Sequence, residues 1–290
     1  MVAPTIGAVN LIVDVHTHIY HPDIVKNWRG IAEREKLFGV LASGVVHKWA
    51  AGEDVLSAMD EDGVGESFVC GFAFSDLALC RESNDYVLDC AARSGGRLRP
   101  VIAVPPLARG AAGEIERCAE LGAIGVGELQ PEGQDFDISR IEETWRLAAV
   151  CHERGLFVMI HTAEPIGRGY PGKGGVGPIE AYRFAVNHPE LRVVFAHWGG
   201  GLFFYEQMSG VKTALKNVWY DTAAAPFVYN PSIFGSAVAS GAGEKLLYGS
   251  DFPLLRYPRY KKMIEAGLLT TDEFEKITSA NVERLLHSGG

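Results

Sequence analysis

The chain has 290 residues, 47% of them hydrophobic and 22% charged, a globular composition that excludes disorder and a collagen-like or coiled-coil rod. Lys and Arg number 27 against 36 Asp and Glu, a formal charge of -9. No basic block interrupts that acidity, so nucleic acid and anionic membrane surfaces are poor partners and a small molecule is the expected one. No apolar run reaches the roughly 20 residues that a membrane helix needs.

Met1–Asn10 has no cationic stretch ahead of its apolar residues, so a signal peptide is not expected. Five cysteines (Cys70, Cys80, Cys90, Cys118, Cys151) are odd in number and lack a CxxC pair, which reads as buried free thiols and a cytoplasmic protein. Met1–Asn10 and Ser288–Gly290 read as loose ends. Residues 1–290 are expected to form a single domain, and homo-oligomerisation is left open.

Eight short apolar runs follow one another along the chain: Leu11–Val15, Ser67–Phe72, Leu98–Val104, Ala123–Leu129, Leu156–Ile160, Arg192–Ala196, Val218–Asp221 and Lys245–Tyr248. They lack strict alternation, as strands buried on both faces should. Helical patterns lie between them. In Ile138–Arg154, Ile141, Trp145, Leu147, Ala148 and Cys151 can share one stripe, with Ser139 as N-cap, Glu142 completing a capping box and Gly155 as the stop. Pro178–Val186 opens on a proline, which a helix accepts in its first turn. Strand and helix repeated eight times predict a (β/α)8 TIM barrel, with an open doubly wound sheet as the competitor. Two long loops interrupt the pattern, His21–Gly52 after the first strand and Pro165–Gly177 after the fifth; both fall where barrels keep their active sites.

The first strand ends Asp14-Val15-His16-Thr17-His18, and i, i+2 spacing lets both imidazoles face one point. The fifth strand runs into His161, the sixth into His197-Trp198-Gly199-Gly200-Gly201, and the eighth through Gly249-Ser250 into Asp251-Phe252-Pro253. In a parallel barrel these ends share one mouth. Three or four imidazoles and a carboxylate converging there suit a divalent metal, zinc first, with manganese or iron as alternatives.

That order, HxH followed by two strand-end histidines and a closing GSD-[FY]-P, resembles the metal-dependent amidohydrolase superfamily. The likeness is strongest to the branch that includes aminocarboxymuconate-semialdehyde decarboxylase, and it extends to Asn281-Val282-Glu283-Arg284-Leu285-Leu286. The resemblance implies that His16, His18, His161 and Asp251 ligate the metal, with Asp14 in support. His197 would be a further ligand or an acid/base beside the metal. Glu128, at the end of the fourth strand, departs from that branch. It could bridge two ions, bind one, or only receive a histidine N–H or a substrate proton, so one or two ions are expected.

Around the mouth, Glu164, Arg168, Tyr170 and Lys173 form a shaped loop with two cations and a phenol that suit a carboxylate-bearing substrate. Trp198 would be a pocket wall or a filler of the barrel rim. The expected reaction is hydrolysis of an amide, lactone or ester by a metal-activated water, with Asp251 moving the proton and His197 steadying the intermediate. The alternative is a lyase, a non-oxidative decarboxylase or hydratase using the same ligands. Glu128 tilts the expectation toward hydrolysis.

Overall fold

The computed structural model describes residues 11–287; both expected loose ends fall outside them. Eight parallel strands form one sheet in chain order: β1 (Val13–His18), β2 (Glu66–Cys70), β3 (Leu98–Ile102), β4 (Gly125–Leu129), β5 (Phe157–Ile160), β6 (Val193–Phe195), β7 (Val218–Asp221) and β8 (Leu246–Leu247). The Val15 amide donates to the Tyr248 carbonyl (2.9 Å) and the His18 amide to the Phe252 carbonyl (2.7 Å), which brings the two ends of the sheet together. The result is the expected (β/α)8 barrel.

The core has two layers because most strands carry apolar residues on both faces. Inside the barrel, Phe68 of β2 stacks on Phe157 of β5 at 5.9 Å; these strands are not neighbours, so the contact spans the interior. Val13, Val15, Met159 and Val194 join this inner layer. Val69, Ile102, Val126, Val158 and Phe195 face outward and pack against the helices.

Helices α1 (Pro22–Ala32) and α2 (Lys36–Ala42) fill the long insertion after β1. They build a separate aromatic cluster in which Phe38 meets Trp49, Phe72 and Phe74. Helices α3 (Gly52–Asp62), α4 (Leu77–Arg93), α5 (Ala111–Glu120), α6 (Ile141–Glu153) and α7 (Pro178–Asn187) follow β1 to β5 in turn. The α7 helix starts on its proline as expected.

The start of α6 differs from expectation. Its N-cap is Arg140, and Ser139 instead gives its backbone N–H to the Asp137 carboxylate at 2.8 Å, forming a turn one step earlier. The buried stripe is Thr144, Leu147, Ala148, Val150 and Cys151, while Ile141 and Trp145 are half exposed. Pro165–Gly177 has neither helix nor strand; the Ala163 amide on the Val176 carbonyl (2.8 Å) closes its base.

Candidate metal centre

Two irregularities aim the site. The β1–β2 pairing shifts register between Asp14 and Thr17, so His16 and His18 face the mouth even though Val13 and Val15 both belong to the inner core. The β4–β5 pairing shifts between Val126 and Leu129, which both pack outward, and this turns the intervening Glu128 inward. An extra residue in one strand re-aims a side chain in this way. Glycine makes room behind them: a Cβ at Gly249 would lie 2.9 Å from the His16 Cβ and 3.2 Å from that of Asp221.

The strand ends gather six side chains. His16, His18 and Asp251 form one triad of donor atoms within 4.8 Å of one another, and Glu128, His161 and His197 form a second. Glu128 spans the two. Its Oε1 faces His161 Nδ1 at 2.9 Å and His197 Nε2 at 3.1 Å. Its Oε2 accepts from the Gln130 amide at 2.9 Å and stands 3.5 Å from His16 Nε2 and 3.7 Å from His18 Nε2. Asp251 Oδ1 lies 3.4 Å from His18 Nε2 and 3.8 Å from His16 Nε2.

The electrostatics are those of a charged cluster. Burial alone would discharge His16, but the Asp221 and Glu128 carboxylates hold its pKa well above the ordinary imidazole value. Burial also opposes charge on Glu128, and His16 and His161 overcome it, keeping that carboxyl well below the usual range. Asp251 is drawn down, against its own burial, to about 2 by His18, His16 and His197. Among the described residues no Lys or Arg pairs with either carboxylate, so imidazoles are the only counter-charges.

The donor set fits a divalent cation. His16 Nε2 and His18 Nε2 stand 3.0 Å apart, a separation that needs a proton or a cation between the lone pairs. His161 has oxygen acceptors on both ring nitrogens, Glu128 on one side and the Lys173 carbonyl (3.1 Å) on the other. His197 is placed likewise between Glu128 and the Ala223 carbonyl at 3.3 Å. In each ring the outward nitrogen donates to a fixed acceptor and leaves the inward one free as a ligand. Nitrogen and carboxylate donors in this mixture suit zinc, manganese or iron.

One supporting residue escaped the sequence reading. Asp221, fully buried at the end of β7, faces His16 Nδ1 with one oxygen at 2.8 Å and accepts the His197 and Ala223 amides with the other, each at 2.9 Å. The available signal was an acid ending an otherwise apolar run, Val218–Asp221. Asp14 lies beneath the cluster and accepts the amides of Ser250 (2.9 Å) and His16 (3.2 Å), tying β1 to the chain after β8; burial raises its pKa to about 6.

The loop after β5 satisfies itself. Lys173 Nζ meets Glu164 at 3.3 Å and the Ile166 carbonyl at 3.2 Å, and the Tyr170 hydroxyl donates to Glu164 at 3.3 Å. Arg168 is exposed at its tip. Trp198 is fully buried against Phe203 and Phe234.

The amidohydrolase family model matches residues 13–287. This chain belongs to the amidohydrolase family. No curated protein matches it. Among solved structures, this amidohydrolase is similar to 5-carboxyvanillate decarboxylase from Sphingomonas paucimobilis (TM-score 0.77, 16% identity, 95% of this chain and 98% of that one). It is also similar to a dihydroxybenzoic acid decarboxylase from Polaromonas sp. JS666 with bound manganese and the inhibitor 2-nitroresorcinol (0.71, 15%, 96% and 97%). A third is a probable 2-pyrone-4,6-dicarboxylic acid hydrolase from Acinetobacter baumannii with citric acid bound (0.61, 16%, 95% and 98%).

These likenesses correct the expectation of hydrolysis, because the similar structures are mostly decarboxylases. The physical reason is that Glu128 was a poor guide: a carboxylate on β4 that holds His161 and His197 serves any reaction run on this ligand set. The preference for zinc gains no specific support, since manganese is the metal in the similar structure.

Proposed function

We propose that this protein is a divalent-metal-dependent, non-oxidative decarboxylase of small aromatic carboxylic acids. The observation that carries the reading is the cluster of four histidines and two carboxylates at the mouth of an amidohydrolase barrel, with no Lys or Arg on either carboxylate among the described residues. The aromatic decarboxylases among the similar structures supply the substrate class, and the manganese in one of them makes manganese the first metal to test. His16, His18, His161, Glu128 and Asp251 would hold the metal, with His197 beside them. Residues 1–290 would act as one catalytic unit. Five free, buried thiols favour a reducing compartment such as the cytoplasm.

The bound cation would supply positive charge that fixes the substrate carboxylate and lowers the cost of charge developing in the ring. The chain itself manages the proton. Glu128 is held by Gln130, His161 and His197, whereas Asp251 uses Oδ1 toward His16 and His18 and leaves Oδ2 without a partner among the described residues. Asp251, ionised at rest, would take a proton from solvent on Oδ2 and deliver it to the ring carbon that bears the carboxylate. The electron pair of the carbon–carbon bond returns to the ring as that bond breaks, carbon dioxide leaves, and Asp251 is again a carboxylate. Arg168, exposed on the loop whose Lys173 carbonyl faces His161, would orient the anion, while the Lys173 ammonium stays on Glu164.

Manganese-loaded protein offered a panel of hydroxybenzoates and carboxyphenols should release carbon dioxide from at least one member. Full metal loading with no release across the panel would sink this reading.

A further inference from the structure

Three of the four cluster histidines have an oxygen acceptor against the ring nitrogen turned away from the centre: the Asp221 carboxylate for His16, the Lys173 carbonyl for His161 and the Ala223 carbonyl for His197. The fourth meets sulfur. Cys70 Sγ lies 3.4 Å from His18 Nδ1, which has no other partner among the described residues. Of the five free thiols, Cys70 is the one that touches the cluster.

The sheet builds this contact. After the register shift between Asp14 and Thr17, His18 pairs with Cys70 on β2. The Thr17 hydroxyl on the Phe68 carbonyl (2.7 Å) and the Ile19 amide on the Cys70 carbonyl (2.9 Å) hold the two strands together on either side of His18. Cys70 is buried in the inner core, and its thiol donates to the Thr17 carbonyl at 3.4 Å. With the thiol proton there, a sulfur lone pair faces His18 Nδ1 and receives its N–H. The reverse arrangement, a thiol donating to Nδ1, would put the imidazole proton on Nε2. That nitrogen stands 3.0 Å from His16 Nε2 and 3.4 Å from Asp251 Oδ1, so the proton would sit where the cation belongs.

We infer that Cys70 is a positioning residue for the metal centre: its sulfur accepts the His18 Nδ1 proton and holds the ring in the tautomer that offers Nε2 to the cation. Sulfur is a weak acceptor, whereas the carboxylate behind His16 raises the basicity of that ring. His18 is therefore the more weakly backed of the two β1 ligands. A buried cysteine that only filled space would have no need to face a ligand nitrogen. The inference rests on the metal-centre part of the reading above and is independent of which bond the enzyme breaks.

Three measurements test it. In zinc-loaded protein with isotope-labelled histidine, proton–nitrogen spectra should show His18 protonated on Nδ1, the resonance being assigned by its loss in His18→Gln. Cobalt-substituted wild type should show no sulfur-to-cobalt charge-transfer band, because Cys70 backs a ligand and is not one itself. Manganese affinity, read by competition with a chromophoric chelator, should fall about tenfold in Cys70→Ala, the low end of what losing such a partner costs. Cys70→Ser keeps a donor for Thr17 and an acceptor for His18 and should recover part of that loss. A His18 bound through Nδ1, a sulfur-to-cobalt band, an unchanged affinity in Cys70→Ala, or a Ser variant no better than Ala would each overturn the role of Cys70. The first two are read on wild-type Cys70, so they decide the matter even where a Cys70 variant fails to fold. A wild type that binds none of the three metals would overturn the metal centre, and this inference with it. Failure of the decarboxylase reading, full metal loading without release of carbon dioxide, leaves every one of these outcomes readable.

Discussion

The Asp221 carboxylate and the His16 imidazole meet at 2.8 Å with both side chains out of reach of solvent. The pair decides which nitrogen of His16 is available. Asp221 Oδ1 is fixed by two backbone amides, so Oδ2 must face Nδ1 and receive its proton, and the Nε2 lone pair points into the cluster. Asp221→Asn would keep its oxygen on the amides and turn its NH2 toward Nδ1. His16 would then have to accept there and carry its proton on Nε2, where the metal should be. Metal affinity should fall about 10–100-fold with the fold intact, the usual effect of losing such a partner. Competition against a chromophoric chelator reads this directly, and an unchanged affinity would refute the tautomer argument.

Asp251→Asn tests the proton transfer. Asp251 has φ of 62°, a conformation that Asn tolerates as readily as Asp, so the backbone should not object. The variant keeps an oxygen for the metal and loses the group that carries the proton. Turnover should drop by about 10²–10⁴, the range of positioned acid–base catalysis, with most of the metal retained. Near-normal kcat at full metal loading would move the role to His197 or Glu128.

What the sequence made legible, and what it hid, follow from how the barrel is built. All eight strands were readable because strands buried on both faces become continuous apolar runs, and the chain order of His16, His18, His161, His197 and Asp251 located the mouth. Glu128 was placed at the mouth by its position at a strand end, but the register shift between Val126 and Leu129 that aims it inward was not readable, since no alternation pattern encodes it. Asp221 was hidden because one acid at a strand end looks like a boundary until His16 is seen beside it. The start of α6 was misread because Asp137 competes for the Ser139 amide. The reaction was misjudged for a different reason: similar ligands serve hydrolases and lyases, so the residues name the metal site before they name the bond that breaks.

Gly200 shows how the loop after β6 closes on the loop after β5. It sits at φ 59°, ψ 18°, within a left-handed turn running from His197 to Gly201, and a Cβ there would lie 2.4 Å from the Ala163 carbonyl oxygen. Gly200→Ala combines a left-handed backbone penalty with a backbone clash, together about 2–5 kcal/mol. Gly201→Ala, at φ 98° with open space around its Cβ, should incur only the first part. Urea titrations of both variants give the comparison; equal losses would mean that contact with Ala163 contributes nothing.

The last prediction concerns acid stability, away from the metal cluster. Glu114 of α5 is buried and accepts from Arg117 at 2.8 and 2.9 Å, from Asn84 at 3.0 Å and from the Cys118 thiol at 3.2 Å. Asn84 also exchanges hydrogen bonds with both backbone groups of Ala103, so the network fastens α4 and α5 to the end of β3. Burial pushes the Glu114 pKa up, but the bonds from Arg117, Asn84 and Cys118 outweigh it, and the net shift is downward from 4.5. A carboxyl with a lowered folded pKa stabilises the protein fully above its unfolded value, and that contribution is lost as pH falls through the folded one. Glu114→Gln removes the charge at every pH and leaves Arg117 without its buried partner. At neutral pH it should cost about 1–2 kcal/mol, because Arg117 is 40% exposed and keeps Asp85 at 2.7 Å, so solvent screens the lost pair. Below pH 4.5 the wild type sheds the same contribution while the variant does not, so the gap between their denaturation midpoints should narrow. A gap that stays constant from neutrality down through that window would show that Glu114 is not the group that titrates.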